Sequence, residues 1–330
     1  MCRSIDEKRT VKRPPVHLWV YNHSFHGIGD QVSFIVMALR QHGYPVSVGR
    51  QPRHSSLNVV IEGFSARSRD MLLEFCRSTR KRVAMIMTEH VDVEHGRIFF
   101  HGAPLGSEND YMHPVTILAR IKHLLESVPY LRCFFVLGDL PELRNMSTML
   151  PGLDVRAIPF PRLDSVSCKD IDRSSEPVND LVFTGAMTEY RVKLLALLEA
   201  GGLSVACPHG FVSRNRRNAM NRSAKVIVNI PQREGWQWLS LMRIVAGLQT
   251  GQSTISLGTS DASQIASCCT QLDIRKQDWI SEIKQCVDDS KSLYYRDAVN
   301  YSVMTKKFEQ ERPFPHDVLE YWSITDRVCS

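Results

Sequence analysis

The sequence predicts an α/β protein of two domains, each built on an open, mainly parallel sheet. Three observations support this. Short apolar runs alternate with longer amphipathic stretches along both halves of the 330-residue chain. Turn residues separate them, which is the signature of repeated βα units. A polar stretch over 161–180 breaks the rhythm once, and the length suits two domains of about 100–200 residues each.

Residues 1–15 form a basic tail with Arg3, Lys8, Arg9, Lys12 and Arg13. Such tails are usually solvated, and weak contact with an anionic membrane surface is the alternative. The N-terminal domain spans 16–162. Val16–Tyr21 is a β-rich run, and Asn22–Asp30 is a turn-rich loop with Gly27 and Gly29. A helix follows with apolar Val32, Phe34, Ile35, Ala38 and Leu39, and Gly43 ends it. Val46–Val48 and Leu57–Ile61 are strands, Ser65 caps a helix to about Thr79, and Val83–Met87 is a strand. A loop from Thr88 to about Met112 is long enough to suggest function. Helix 115–127, strand Cys133–Leu137, a short helix opened by Pro141-Glu142 and strand Val155–Ile158 complete a doubly wound pattern.

The linker occupies 163–180, and the rhythm restarts over 181–298. Leu181–Phe183 is a strand, Glu189–Ala200 a helix stopped by Gly201-Gly202, and Leu203–Ala206 a strand. A basic helix over 212–222 leads to strand Val226–Ile230. A loop with Trp236 and Trp238 enters helix 239–250, Gly251 ends it, and Thr254–Leu257 is a strand. The rest, from about 277 to 322, is mainly helical, and 299–330 forms a C-terminal helical segment.

Composition narrows the class. Apolar residues are 43% and charged residues 23%, as in ordinary globular proteins. The net charge of +6 suits an anionic ligand but does not choose between phosphate, membrane and nucleic acid. No apolar run approaches the roughly 20 residues of a membrane span, and no signal-peptide pattern opens the chain. Nine irregularly spaced cysteines point to reduced thiols, a cytoplasmic location and no zinc site.

Three constellations could carry chemistry. Gly27 and Gly29 lie before a helix and after a strand, where a ligand can approach the backbone. They do not complete a dinucleotide fingerprint, and a plain turn with Asp30 as helix cap is the alternative. Thr88-Glu89-His90 follows a strand's carboxyl end. With His26 and Asp30 it offers candidates for removing a proton from an attacking hydroxyl. The third is Phe211–Gly251. Here a strand aims a loop and a helix start at the interdomain cleft, so that a diphosphate would meet amides near Ser240 and the fork of Arg243. Trp236 or Trp238 could stack on a base or sugar, or simply pack between domains. Most arginines of 214–222 suit a solvated helix face.

Phe183-Thr184-Gly185, Tyr190-Arg191 and Leu194-Leu195 resemble the opening of the C-terminal domain in GT-B glycosyltransferases. Lys225–Ile230 and the pattern Ser240, Arg243, Leu248, Gly251 resemble its continuation. The likeness is to the spore-maturation type and the group-1 glycosyltransferases, and it covers about 80 residues. It implies two Rossmann-like domains facing across a cleft, with a C-terminal helix crossing back to the first domain. It also implies a nucleotide-sugar donor (UDP-, GDP- or TDP-linked) on the second domain and an acceptor against the first. Gly185, Arg191, Trp236, Ser240, Leu241 and Arg243 would bind the donor. The family often has a glutamate three residues after the matched arginine; this chain has Ala246, and Glu234 could serve instead.

The expected activity is metal-independent glycosyl transfer without a cofactor, arginines and a helix start stabilising the leaving diphosphate. A non-catalytic nucleotide- or phosphate-binding protein of the same architecture is the alternative. Nucleic acid is not an expected partner, because the basic cluster is short and no recognised module accompanies it.

Overall fold

The computed structural model describes residues 13–61, 65–107, 112–139, 150, 152–163 and 177–328. The basic tail through Lys12, the helix expected at Pro141-Glu142 and most of the linker lie outside the described residues.

The first half runs β1 (Val16–Trp19), α1 (Phe25–Gln41), β2 (Val46–Gly49), β3 (Leu57–Ile61), α2 (Ala66–Thr79) and β4 (Val83–Met87). It continues with β5 (Val91–Glu94), β6 (Arg97–Phe100), β7 (Ala103–Pro104), α3 (Pro114–Ser127), β8 (Leu131–Leu137) and β9 (Asp154–Ile158). Six of these strands form a parallel sheet in the order β2-β1-β3-β4-β8-β9. Both faces are covered, so the strands read as nearly continuous apolar runs. Alternation still decides the face: Val59 and Ile61 pack on one side with Ala84, Ile86 and Phe135, while Val60 packs on the other with Met85 and Phe134.

The second half runs β10 (Asn179–Val182), α4 (Glu189–Ala200), β11 (Val205–Ala206), α5 (Arg214–Arg222), β12 (Ala224–Asn229), α6 (Leu241–Thr250), β13 (Thr254–Leu257) and β14 (Thr270–Leu272). Helices α7 (Trp279–Asp288), α8 (Ser290–Glu311) and α9 (His316–Val328) follow. Its parallel sheet has the order β11-β10-β12-β13-β14. In each parallel sheet the strand order reverses at the first strand, β1 and β10, which lies between its second and third strands. Open α/β sheets hold ligands at such switch points, beyond the carboxyl ends of the strands.

The C-terminal helices return to the first sheet. Tyr301, Met304, Phe308, Phe314, Leu319 and Trp322 share one buried cluster with Leu18, Phe34, Tyr44 and Phe160. Tyr301 Oη donates to the Pro161 carbonyl at 2.8 Å, and Tyr44 Oη meets His316 Nδ1 at 2.9 Å. No helix among the described residues is long and apolar enough to cross a membrane.

Two local expectations are corrected. The segment before Asp30 is not a loop: α1 begins at Phe25 and includes both glycines. Glycine costs a helix about 1 kcal/mol relative to alanine, but burial of Val32, Ile35 and Leu39 on the sheet outweighs this. Asp30 is therefore a residue of the second helical turn, not its cap. Nor is the stretch from Thr88 to Met112 structureless. It folds into the antiparallel sheet β5-β6-β7. The two-residue turns His95-Gly96 and His101-Gly102 have positive φ throughout (48°, 74°, 51° and 75°), as tight hairpins require.

Candidate functional site

Loops leaving β1 and β4 face loops leaving β10 and β12 across a cleft of about 640 Å³. A depression of about 210 Å³ shares Gly27, Gln31, Gly185, Phe211, Ser240, Met242 and Arg243 with it.

Arg243, in the first turn of α6, is the central cation of the second domain's wall. Its guanidinium donates to Asn229 Oδ1 and, at 3.2 Å, to the Thr184 carbonyl. Asn229 is 2% exposed and is fixed in turn by donating to Ser256 Oγ at 2.7 Å. The guanidinium carbon lies 5.2 Å from the Phe183 ring centre, a cation–π contact. A Cβ on Gly185 would come within 3.0 Å of Arg243 Nη2 and 2.8 Å of the Phe183 ring, so glycine keeps this seat open. Burial presses the Arg243 pKa down to about 9, with Arg191 and Arg217 adding to the effect and Asp30 opposing it. The group is still charged at neutral pH, and both oxygens it bonds are neutral.

Ser240 caps α6 without a side-chain capping bond. The amides of Leu241 and Met242 begin the helix and have no intrahelical acceptor, so this end favours an anion. Arg191 is 5% exposed and holds the backbone: it donates to the carbonyls of Ala186 (2.7 Å), Ile230 (2.9 Å) and Pro231 (3.2 Å). It shapes the cleft wall, and its charge acts on Arg243 from within that wall. Glu234 is exposed and lines a separate depression with Tyr190, Gly258 and Arg275. Ala246 lines the smaller depression.

The two tryptophans meet the first domain. Trp236 stacks on His101, with centroids 4.3 Å apart and planes at 26°, and Trp238 stacks on His90 at 5.2 Å and 27°. Arg233 donates to the His101 carbonyl at 3.0 Å. Both indoles still line the cleft.

On the first domain's side, Glu89 is bound by His101 Nε2 at 2.6 Å and Arg120 Nη1 at 3.0 Å. Burial favours the neutral acid, but the His101 and Arg120 pairing outweighs it and holds the carboxyl well below its ordinary range. An ionised Glu89 cannot donate, so Nε2 of His101 carries the proton in this bond. Burial pushes His101 down and favours its neutral ring, against the upward pull of Glu89. Asp30 pairs across the domain boundary with Arg217 of α5. Gly27 and Gly29 line the depression, and a Cβ on either would meet nothing within 4 Å. The side chain of His26 lies outside the described part of the structure.

Thus the cleft gathers Glu89, His90, Asp30, Gly27 and Gly29 from one domain and Gly185, Arg191, Trp236, Ser240, Leu241 and Arg243 from the other. Sequence reasoning missed His101 and Arg120, and it assigned Arg217 to a solvated face. His101-Gly102, an x-Gly pair between two β-rich runs, was the available signal for the first.

No protein-family model matches the sequence, and the search of curated proteins found no match. Solved structures do. T4 phage BGT in complex with UDP and Mn²⁺ superposes with a TM-score of 0.51 at 8% identity, over 94% of this chain and 99% of that one. T4 phage BGT with its UDP-glucose substrate gives 0.50 at 8% identity, over 96% and 99%. An alpha1,3-fucosyltransferase gives 0.43 at 12% identity, over 96% and 93%. With two parallel α/β sheets opening on one cleft and C-terminal helices returning to the first, the chain has the GT-B glycosyltransferase fold.

Proposed function

We propose that the protein transfers a sugar from a nucleotide-sugar donor to an acceptor hydroxyl. The observation that carries this is Arg243, a desolvated cation in the cleft whose hydrogen bonds go to neutral oxygens. A diphosphate supplies the missing charge there, and the first amides of α6 add to its binding. The fold shared with T4 phage BGT, a protein that binds UDP and UDP-glucose, supports the same reading.

In this reading the acceptor oxygen attacks the anomeric carbon, and the bond to the diphosphate breaks with its electrons on the leaving group. Arg243 and the α6 amides stabilise the charge that develops on that group, without invoking a metal. Asp30 and His90 are the candidate proton acceptors. Glu89, already engaged by Arg120, suits the role of orienting His101 better than that of base.

Calorimetric titration with UDP and GDP tests the reading. Arg243→Ala should weaken the bound nucleotide by about 1 kcal/mol or more, the scale of a charged hydrogen bond. Unchanged affinity would move the donor site elsewhere. Release of nucleoside diphosphate from a panel of UDP-, GDP- and TDP-sugars then separates a transferase from a binding protein, which would bind without turnover.

A further inference from the structure

The Asp30–Arg217 pair has a geometry that its surroundings do not explain as a surface contact. Asp30 comes from α1 of the first domain and Arg217 from α5 of the second, and their side chains are 26% and 13% exposed. Both line the 210 Å³ depression together with Ser240 and Arg243. Arg217 Nη2 donates to Asn218 Oδ1 at 2.7 Å, while its buried Nε has no hydrogen-bond partner. Asp30 and Arg217 also lie close enough to Arg243 to act on its charge. One carboxylate therefore serves a pocket wall lined by three arginines, Arg214, Arg217 and Arg243.

We propose that the Asp30–Arg217 ion pair is a latch that a nucleoside diphosphate opens by exchange. This rests on the reading of the cleft as a donor site. The diphosphate carries more negative charge than the single Asp30 carboxylate and lies between Arg243 and Arg217. Arg217 turns from Asp30 to the phosphate oxygens, where its fork and its unused Nε gain acceptors. Asp30 is left as an unpaired carboxylate beside Gly27 and Gly29, on the side where the acceptor enters. Occupation of the donor site is thus coupled to the charge presented to the acceptor and to the contact between domains. Linkage makes the coupling reciprocal: if the nucleotide weakens the ion pair, the ion pair weakens the nucleotide.

Reciprocity gives the latch a test with a sign that a merely structural contact does not share. UDP and GDP are titrated into the full-length wild type, Asp30→Asn, Arg217→Gln and the double variant, with Asp30→Ser as a second removal of the carboxylate. Both Asp30 variants should bind the nucleotide about fivefold or more tighter than wild type. Arg217→Gln should bind it more weakly, and Asp30→Asn should gain less affinity in that background than in the wild type, because only the effect of Asp30 on Arg243 remains; an equal gain in both backgrounds overturns the latch. If wild type binds UDP or GDP and loses it in Arg243→Ala, but neither Asp30 variant gains affinity, the donor site stands and the latch is overturned. A double variant as tight as Asp30→Asn also overturns it. If wild type binds neither nucleotide, the donor-site reading falls and the latch falls with it.

Discussion

Trp236 lies nearly flat on His101 across the domain boundary, ring centroids 4.3 Å apart. One ring follows β12 and the other sits at a hairpin turn beyond β4, so the stack joins two sheets that share no strand. Such a contact should contribute to the stability of the pair of domains as well as shaping the cleft. Trp236→Ala should lower the unfolding free energy by about 1 kcal/mol or more, and Trp236→Phe by less. Denaturant unfolding followed by circular dichroism measures this, and an unchanged midpoint for Trp236→Ala would show that the stack is energetically idle.

Gly185 tests the seat of Arg243. The added methyl of Gly185→Ala meets the Phe183 ring at 2.8 Å and the guanidinium at 3.0 Å, so one of them must move. Crowding of this kind typically costs about 1–3 kcal/mol. The prediction is a weakened UDP affinity alongside a lower melting temperature. Calorimetry that found full affinity in Gly185→Ala would mean Arg243 does not need its present position.

Glu89 sets an acid limit. Its carboxyl is depressed by His101 and Arg120 against the upward push of burial. A depressed folded-state pKa contributes stability that is fully present above the unfolded value near 4.5 and is lost as the pH falls toward about 2. Within that window this one group should add a slope of at most about 1.4 kcal/mol per pH unit. Acid titration of wild type against Glu89→Gln should show a shallower loss in the variant, and equal slopes would refute the assignment.

Chelation separates arginine-based from metal-based handling of the diphosphate. If Arg243 and the α6 amides neutralise the leaving group, EDTA should leave UDP affinity unchanged, and added Mg²⁺ or Mn²⁺ should improve it by less than about tenfold, or 1.4 kcal/mol. A larger gain with either ion would require a cation in the proposed mechanism.

Most strands of the two parallel sheets and most helices were legible because buried parallel strands and amphipathic helices repeat a simple pattern, whereas β5, β6, β7 and β14 were not anticipated. Ser65 as the cap of α2 and Gly251 as the left-handed end of α6 could be named in advance from their residue types. The start of α1 was not, because two early glycines argue locally against a helix, and only the sheet beneath it decides. The cleft was partly legible: Gly185, Ser240 and Arg243 lie in one motif stretch whose spacing is visible. The partners of Glu89 were not. Arg120 is thirty-one positions away on α3, and nothing in the sequence around either residue encodes their meeting. Arg217 was hidden for a related reason, since a helix rich in arginine looks solvated until another domain's aspartate is laid against it.

The return of α8 and α9 to the first sheet carries a consequence for how this chain is made. Phe308 and Trp322 are fully buried in a cluster that includes Leu18, Phe34 and Phe160 of the first domain. While the ribosome is still translating, the face of β1, β3 and β8 that α1 packs on lacks the part of its cover that α8 and α9 supply. The half that emerges first is therefore finished last, and a nascent chain stalled before residue 300 should present an oily sheet to chaperones instead of a completed domain.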